Sequence, residues 1–126
     1  MMTQWIRTED DIFQAVNRIV YILKDFPFTE REVQSVIVSL MEITRNVLDH
    51  GGGEGHFACE QVEGGIRFVV TDRGPGICNV GAVLAGEFES VSGLGLGLSG
   101  AKRLMDELHI ETSPKGTKIS AIKRYS

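Results

Sequence analysis

Apolar residues recur along this chain at two spacings, and stretches of each kind alternate. Ile12, Val16, Ile19, Val20 and Leu23 fall every three or four positions, the interval that stacks side chains on one face of a helix. Thr8 stands where it can cap that helix, and Asp10 and Asp11 lie near its positive end. Pro27 breaks the pattern just after Phe26. A second helical stripe holds Val33, Val36, Ile37, Leu40, Thr44, Val47 and Leu48. It opens on Thr29-Glu30-Arg31-Glu32, a capping box, and stops at Gly51-Gly52-Gly53. Elsewhere the chain reads as strand: residues 3–7, 56–61 and 66–71, the last two joined through Glu63-Gly64-Gly65 as a hairpin. Residues 79–85 are expected to form a short helix and 87–98 a loop. Residues 101–108 read as helix, with Leu104, Met105 and Leu108 on one side. Residues 109–112 and 117–124 close the chain as strands around Pro114-Lys115-Gly116.

Strands arrive both in hairpins and around helices. The economical arrangement is α+β: a two-layer α/β sandwich, with helices on one face of a mixed, mostly antiparallel sheet. So much antiparallel pairing and so few crossovers argue against a doubly wound fold. At 126 residues the expectation is one domain, 1–126, around a single core. Its hydrophobic share of 42% is that of a globular protein. No apolar run approaches the roughly 18 residues of a membrane span, and the amino terminus reads as neither signal nor anchor. A net charge of −4 without a basic stripe argues against nucleic acid. Cys59 and Cys78 share no metal or redox spacing and read as reduced, buried thiols of a cytoplasmic protein.

The chemistry lies in four short stretches. Glu42 and Asn46 are one turn apart, so they share a helix face with Ser35 and Ser39, opposite the apolar stripe. Such residues are ordinarily just solvated. A carboxylate there can also take a proton from a hydroxyl, and an amide oxygen can bind magnesium. Asp72 ends a strand ahead of Arg73-Gly74-Pro75-Gly76. It is either the acid of an ordinary turn or an acceptor for an exocyclic amine such as adenine's. Gly93, Gly95, Gly97 and Gly100 alternate with Leu94, Leu96 and Leu98–Ser99 before a helix, which offers backbone NH groups to phosphate. The spacing fits neither a P-loop nor a dinucleotide fingerprint. Lys102 and Arg103 follow and suit phosphate, a partner or plain solvent. Gly116-Thr117 is the weakest of the four, since a turn glycine before a strand threonine needs no function. Asp49, His50, Glu54 and His56 make a poor metal set.

In their order, Glu-x-x-x-Asn, Asp-x-Gly-x-Gly, Gly-x-Gly-Leu-Gly-Leu and Gly-Thr, these stretches resemble the GHKL or Bergerat ATP-binding fold over nearly the whole chain. The resemblance implies ATP and Mg2+ bound between helices and a lid. By carry-over, Glu42 is the catalytic base and Asn46 the magnesium ligand. Asp72 reads the adenine amine with Thr117 nearby, Gly74 and Gly76 shape the floor, and Gly93, Gly95, Gly97 and Leu98 belong to the phosphate loop. The free-standing domain, Glu42-Ile43-Thr44-Arg45-Asn46 and Ser99-Gly100-Ala101-Lys102-Arg103 are similar to the small switch kinases of bacterial stress signalling, the RsbT-like branch. That implies a cytoplasmic serine/threonine kinase acting on a STAS-domain antagonist or scaffold, with a PP2C-type phosphatase or a sigma factor as a second partner. Glu87, Glu89 and Val91 depart from the small, Ser/Thr- and Gly-rich lid expected of that branch.

Two rivals stand beside this reading. In one, ATP only shapes a surface that sequesters a sigma factor or activates a phosphatase; intact Glu42 and Asn46 favour the enzyme. In the other, the chain is a detached histidine-kinase catalytic domain, but His50, His56 and His109 lack a dimerisation-helix setting. The oligomeric state is not legible.

Overall fold

The computed structural model describes residues 2–76 and 97–126. Five strands form one sheet: β1 (Met2–Ile6), β2 (Gly55–Val62), β3 (Gly65–Asp72), β4 (Glu107–Ser113) and β5 (Gly116–Arg124), in the order β1-β2-β3-β5-β4. All four pairings are antiparallel, so none of the parallel pairing that a mixed sheet allows occurs among these strands. Against the sheet lie α1 (Glu9–Leu23), α2 (Glu30–His50) and α3 (Gly97–Leu104).

Local chemistry fixes the helix starts. Thr8 accepts the Asp11 N–H at 3.2 Å, and the Asp11 carboxylate accepts the Thr8 N–H at 3.1 Å. Thr29 and Glu32 make the same reciprocal pair at the head of α2. Each box satisfies two of the amides that a helix start leaves open. At the other end, Gly51 caps α2 and Gly52 follows in the left-handed region at φ 83°.

The core lies between the layers. Ile12, Ala15, Ile19 and Leu23 of α1 and Val36, Leu40, Ile43 and Val47 of α2 meet Phe57, Phe68, Val70, Ile119 and Ala121 from the sheet, all buried. The Phe57 and Phe68 rings pack 6.1 Å apart, and full burial of a side chain of this size contributes about 1.5–3 kcal/mol. Thr44 lies within the apolar face of α2 because its hydroxyl is satisfied locally, donating to the Leu40 carbonyl at 2.6 Å.

The largest departure from the sequence pattern is α3. It spans Gly97–Leu104 rather than 101–108, and β4 starts at Glu107, so Leu108 is a strand residue. Leu98, Ala101 and Met105 are buried at helical spacing. Gly100, inside the helix, costs about 1 kcal/mol relative to alanine, and burial of that stripe in the core offsets it. The expected helix at 79–85 and the loop up to residue 96, with Cys78, Glu87, Glu89, Val91, Gly93 and Gly95, lie outside the described residues. Cys59 is buried, which pushes its thiol up to about 11.

Candidate nucleotide site

The polar face of α2 is not solvated. Ser35, Ser39 and Glu42 are all buried, Glu42 at 3% exposure, and Asn46 one turn later is half-buried. α3 packs against α2, and its Ser99 is also buried. The Ser39 hydroxyl finds no hydrogen-bond partner among the described residues. Arg45, between Glu42 and Asn46, points elsewhere and pairs with Glu9 of α1 at 2.7 Å. It ties the two helices together.

The carboxyl end of β3 supplies the second half of the site. Strand alternation sends Asp72 to the same side of the sheet as Val70 and Phe68, the side the helices cover. Its Oδ1 accepts the Gly74 N–H at 2.9 Å. Burial pushes its carboxyl above the usual carboxylate range, opposed by hydrogen bonds from the Gly74 and Thr117 backbone. Thr117 of β5 sits directly across from Asp72 and is 5% exposed. Thr112 of β4 sits across from Thr117, and the two hydroxyl oxygens are 2.9 Å apart. Asp72, Thr117 and Thr112 thus form a row across three strands.

Close backbone approach joins the two halves. A Cβ on Gly51, at the end of α2, would lie 2.6 Å from Asp72 Oδ2. One on Gly74 would lie 2.7 Å from the Gly51 Cα. Only glycine at both positions lets the helix end, the carboxylate and the loop pack together. Gly76 follows at φ 84°, and Gly116 heads β5. Two clefts meet at Asp72. One, of about 400 Å³, runs past Gly51 toward Trp5 and His56; the other, of about 340 Å³, is lined by Asp72, Thr112 and Thr117 and by Thr71, Glu111 and Lys118 of the opposite sheet face.

Of the residues singled out in the sequence, Glu42 and Asn46 share one helix face, and Asp72, Gly74 and Thr117 gather where that helix ends. Gly97 opens α3, and Leu98 puts its side chain into the core, leaving its backbone as the part available to a ligand. Lys102 and Arg103 are exposed on α3. Sequence reasoning missed Gly51 and Thr112. A two-residue turn at Pro114-Lys115 pairs residue 113 with 116 and therefore 112 with 117, so the Thr112 pairing was recoverable from the turn.

The chain matches the histidine kinase-like ATPase domain family over residues 8–123. It belongs to that family. It is also 34% identical over 123 residues to the serine/threonine-protein kinase RsbT of Bacillus subtilis, across 94% of this chain and 92% of that protein. Within the histidine kinase-like ATPases it is therefore one of the RsbT-like kinases. A crystal structure of the RsbU and RsbW domains of a Mycobacterium tuberculosis protein shares the fold, with a TM-score of 0.69 at 16% identity. That match covers 98% of this chain and 32% of the longer one. Membership implies ATP as the nucleotide. The geometry suits it: a half-buried acceptor for an amine, a floor free of side chains at Gly51 and Gly74, and a helix start at Gly97. No helix among the described residues is long and apolar enough to cross a membrane.

Proposed function

We propose that this protein transfers the γ-phosphoryl group of ATP to a serine or threonine of a STAS-domain antagonist or scaffold protein, in a partner-switching pathway of the cytoplasm. A PP2C-type phosphatase or a sigma factor is the second partner class. The supporting observation is the contact of Gly51 with Asp72, which ties the α2 face bearing Glu42 and Asn46 to the end of the sheet bearing Asp72 and Thr117.

In this reading Asp72 accepts the adenine amine, with Thr117 beside it and Gly74 and Gly76 flooring the base. By the family resemblance, Gly93, Gly95, Gly97 and Leu98 would offer backbone NH groups to the phosphates, stabilising the charge that develops during transfer. Asn46 would hold Mg2+ together with phosphate oxygens, an arrangement magnesium accepts with few protein ligands. Magnesium there would neutralise phosphate charge. Glu42 orients the incoming hydroxyl and takes its proton, while the docked protein supplies the acceptor.

The test is incubation with labelled ATP and STAS-domain proteins from the same genome, read by mass spectrometry. Phosphate on serine or threonine is expected. Phosphate on histidine alone would favour the histidine-kinase catalytic domain, and no transfer to any STAS protein would replace the kinase with a nucleotide-gated binding module. Asn46→Ala should narrow the gap between ATP affinities measured with and without magnesium; an unchanged gap removes Asn46 as the ligand.

A further inference from the structure

While it is ionised, Asp72 can only accept hydrogen bonds from the base. A 6-aminopurine presents an amine donor and, beside it, a ring nitrogen that accepts. A 6-oxopurine presents the reverse pair. Discrimination therefore needs a donor next to Asp72, and Thr117, its cross-strand neighbour, carries the nearest hydroxyl in the row. A hydroxyl both donates and accepts, so Thr117 alone does not choose between the two purines.

We infer that Thr112 is a positioning residue that makes the choice, by donating its hydroxyl hydrogen to Thr117 and so directing the Thr117 hydroxyl hydrogen at the base. The two oxygens are 2.9 Å apart, within hydrogen-bond reach, and either can be the donor. Thr117 is nearly inaccessible, and Thr112 is half-buried beside it. Register fixes the pair: β4 and β5 place Thr112 opposite Thr117 in the same hairpin that places Thr117 opposite Asp72. Thr112 also lies against the floor, since a Cβ on Gly76 would come within 3.0 Å of its Oγ1. Asp72, Thr112 and Thr117 line the edge of one cleft, together with Thr71, Glu111 and Lys118 from the other face of the sheet. Thr112 does not touch the base in this scheme. It acts through the Thr117 hydroxyl, and the preference it sets is for adenine over guanine.

This inference rests on the proposed nucleotide site, and its test separates the two. Thr112→Val keeps the shape of the side chain and removes the hydroxyl; Thr112→Ser keeps the hydroxyl. Affinities for ATP and GTP are measured by titration calorimetry, with kcat and KM for transfer alongside. Thr112→Val should raise the KM for ATP by about 3- to 10-fold, the loss of one ordinary hydrogen bond, with kcat little changed. Its preference for ATP over GTP should shrink, and Thr112→Ser should restore both. Asp72→Asn is the control for the site. If Asp72→Asn weakens ATP binding while Thr112→Val keeps the wild-type ATP/GTP ratio, the role of Thr112 is overturned and the site stands. If Thr112→Ser behaves like Thr112→Val, the hydroxyl is not the operative group and the inference is also overturned. If neither Asp72→Asn nor Thr112→Val alters nucleotide binding, both readings fall.

Discussion

The two faces of α2 are buried to similar depth with opposite chemistry. Val36, Leu40, Ile43 and Val47 press into the sheet, and their burial is its own reward through the hydrophobic effect. Ser35, Ser39 and Glu42 are buried along a separate stripe of the same helix. Removing such polar groups from water costs free energy that hydrogen bonds only partly return. A protein that needed only a second helix–helix contact would do better with alanine or leucine there. The difference teaches that burial on α2 serves stability on one face and, under the proposed function, chemistry on the other, and substitutions can separate the two.

The sharpest separation is at Glu42. Glu42→Gln should keep ATP binding and the fold while transfer to the protein substrate falls by about 10²- to 10⁴-fold, the usual contribution of a general base. Single-turnover transfer and a melting curve decide it. Wild-type transfer in a well-folded variant would reduce the polar face to a packing surface. The mirror experiment is Leu40→Ala on the apolar face, where the side chain is fully buried. It should lower unfolding free energy by about 2–5 kcal/mol in denaturant titration while leaving per-molecule transfer near wild type in the folded fraction. If Leu40→Ala cut transfer as deeply as Glu42→Gln, the division between the faces would fail.

The sequence made the apolar face legible and left the polar one open. A period of three to four residues, Thr29 and Glu32 at the start and a glycine stop identify α2 with its sheet-facing stripe, because those signals are local. The burial of Ser39 and Glu42 depends on what the fold packs over them, and such contacts are not local. Gly97 and Gly100 argue against a helix by propensity, so α3 was read four residues late and its approach to α2 was hidden. The row of Asp72, Thr117 and Thr112 shows the same limit. Asp72 and Thr117 stand out in the sequence and Thr112 does not, because cross-strand register sets their company. Gly51 was read as a helix stop, while its contact with Asp72 needs the fold to be seen.

Asp72 carries the comparison from α2 to the sheet, as a polar group whose burial opposes stability. Burial raises its carboxyl above the ordinary range despite the Gly74 and Thr117 hydrogen bonds. The folded state therefore holds that proton more tightly than the unfolded chain does. Its contribution to stability is most favourable below the ordinary carboxylate range and falls as pH rises through the raised folded value. Asp72→Asn should flatten that slope, making the ligand-free protein more stable at neutral pH, with the gain vanishing in acid. ATP binding should weaken by about 10- to 100-fold, the loss of a charge-assisted hydrogen bond. Melting temperatures across pH, with and without ATP, give both signs at once. An apo form destabilised at neutral pH would mean that Asp72 is a structural acid.

Arg45 gives the smallest effect and tests whether the two roles of α2 are confined to their faces. It lies between Glu42 and Asn46 in sequence, yet its guanidinium points at Glu9 across the α1–α2 seam, 2.7 Å away. The arginine side chain is 19% exposed and the glutamate 64%, so solvent screens the pair from one side. A pair of this kind contributes about 0.2–1 kcal/mol and weakens with salt. Arg45→Ala should lower stability within that range at low ionic strength and by less at high salt. A double-mutant cycle with Glu9→Ala isolates the coupling. ATP affinity and transfer should stay at wild-type values, because a helix turns neighbouring residues to different sides. Transfer lost in Arg45→Ala but kept in Glu9→Ala would place the guanidinium in the phosphate chemistry and redraw the border between the structural and chemical faces of the helix.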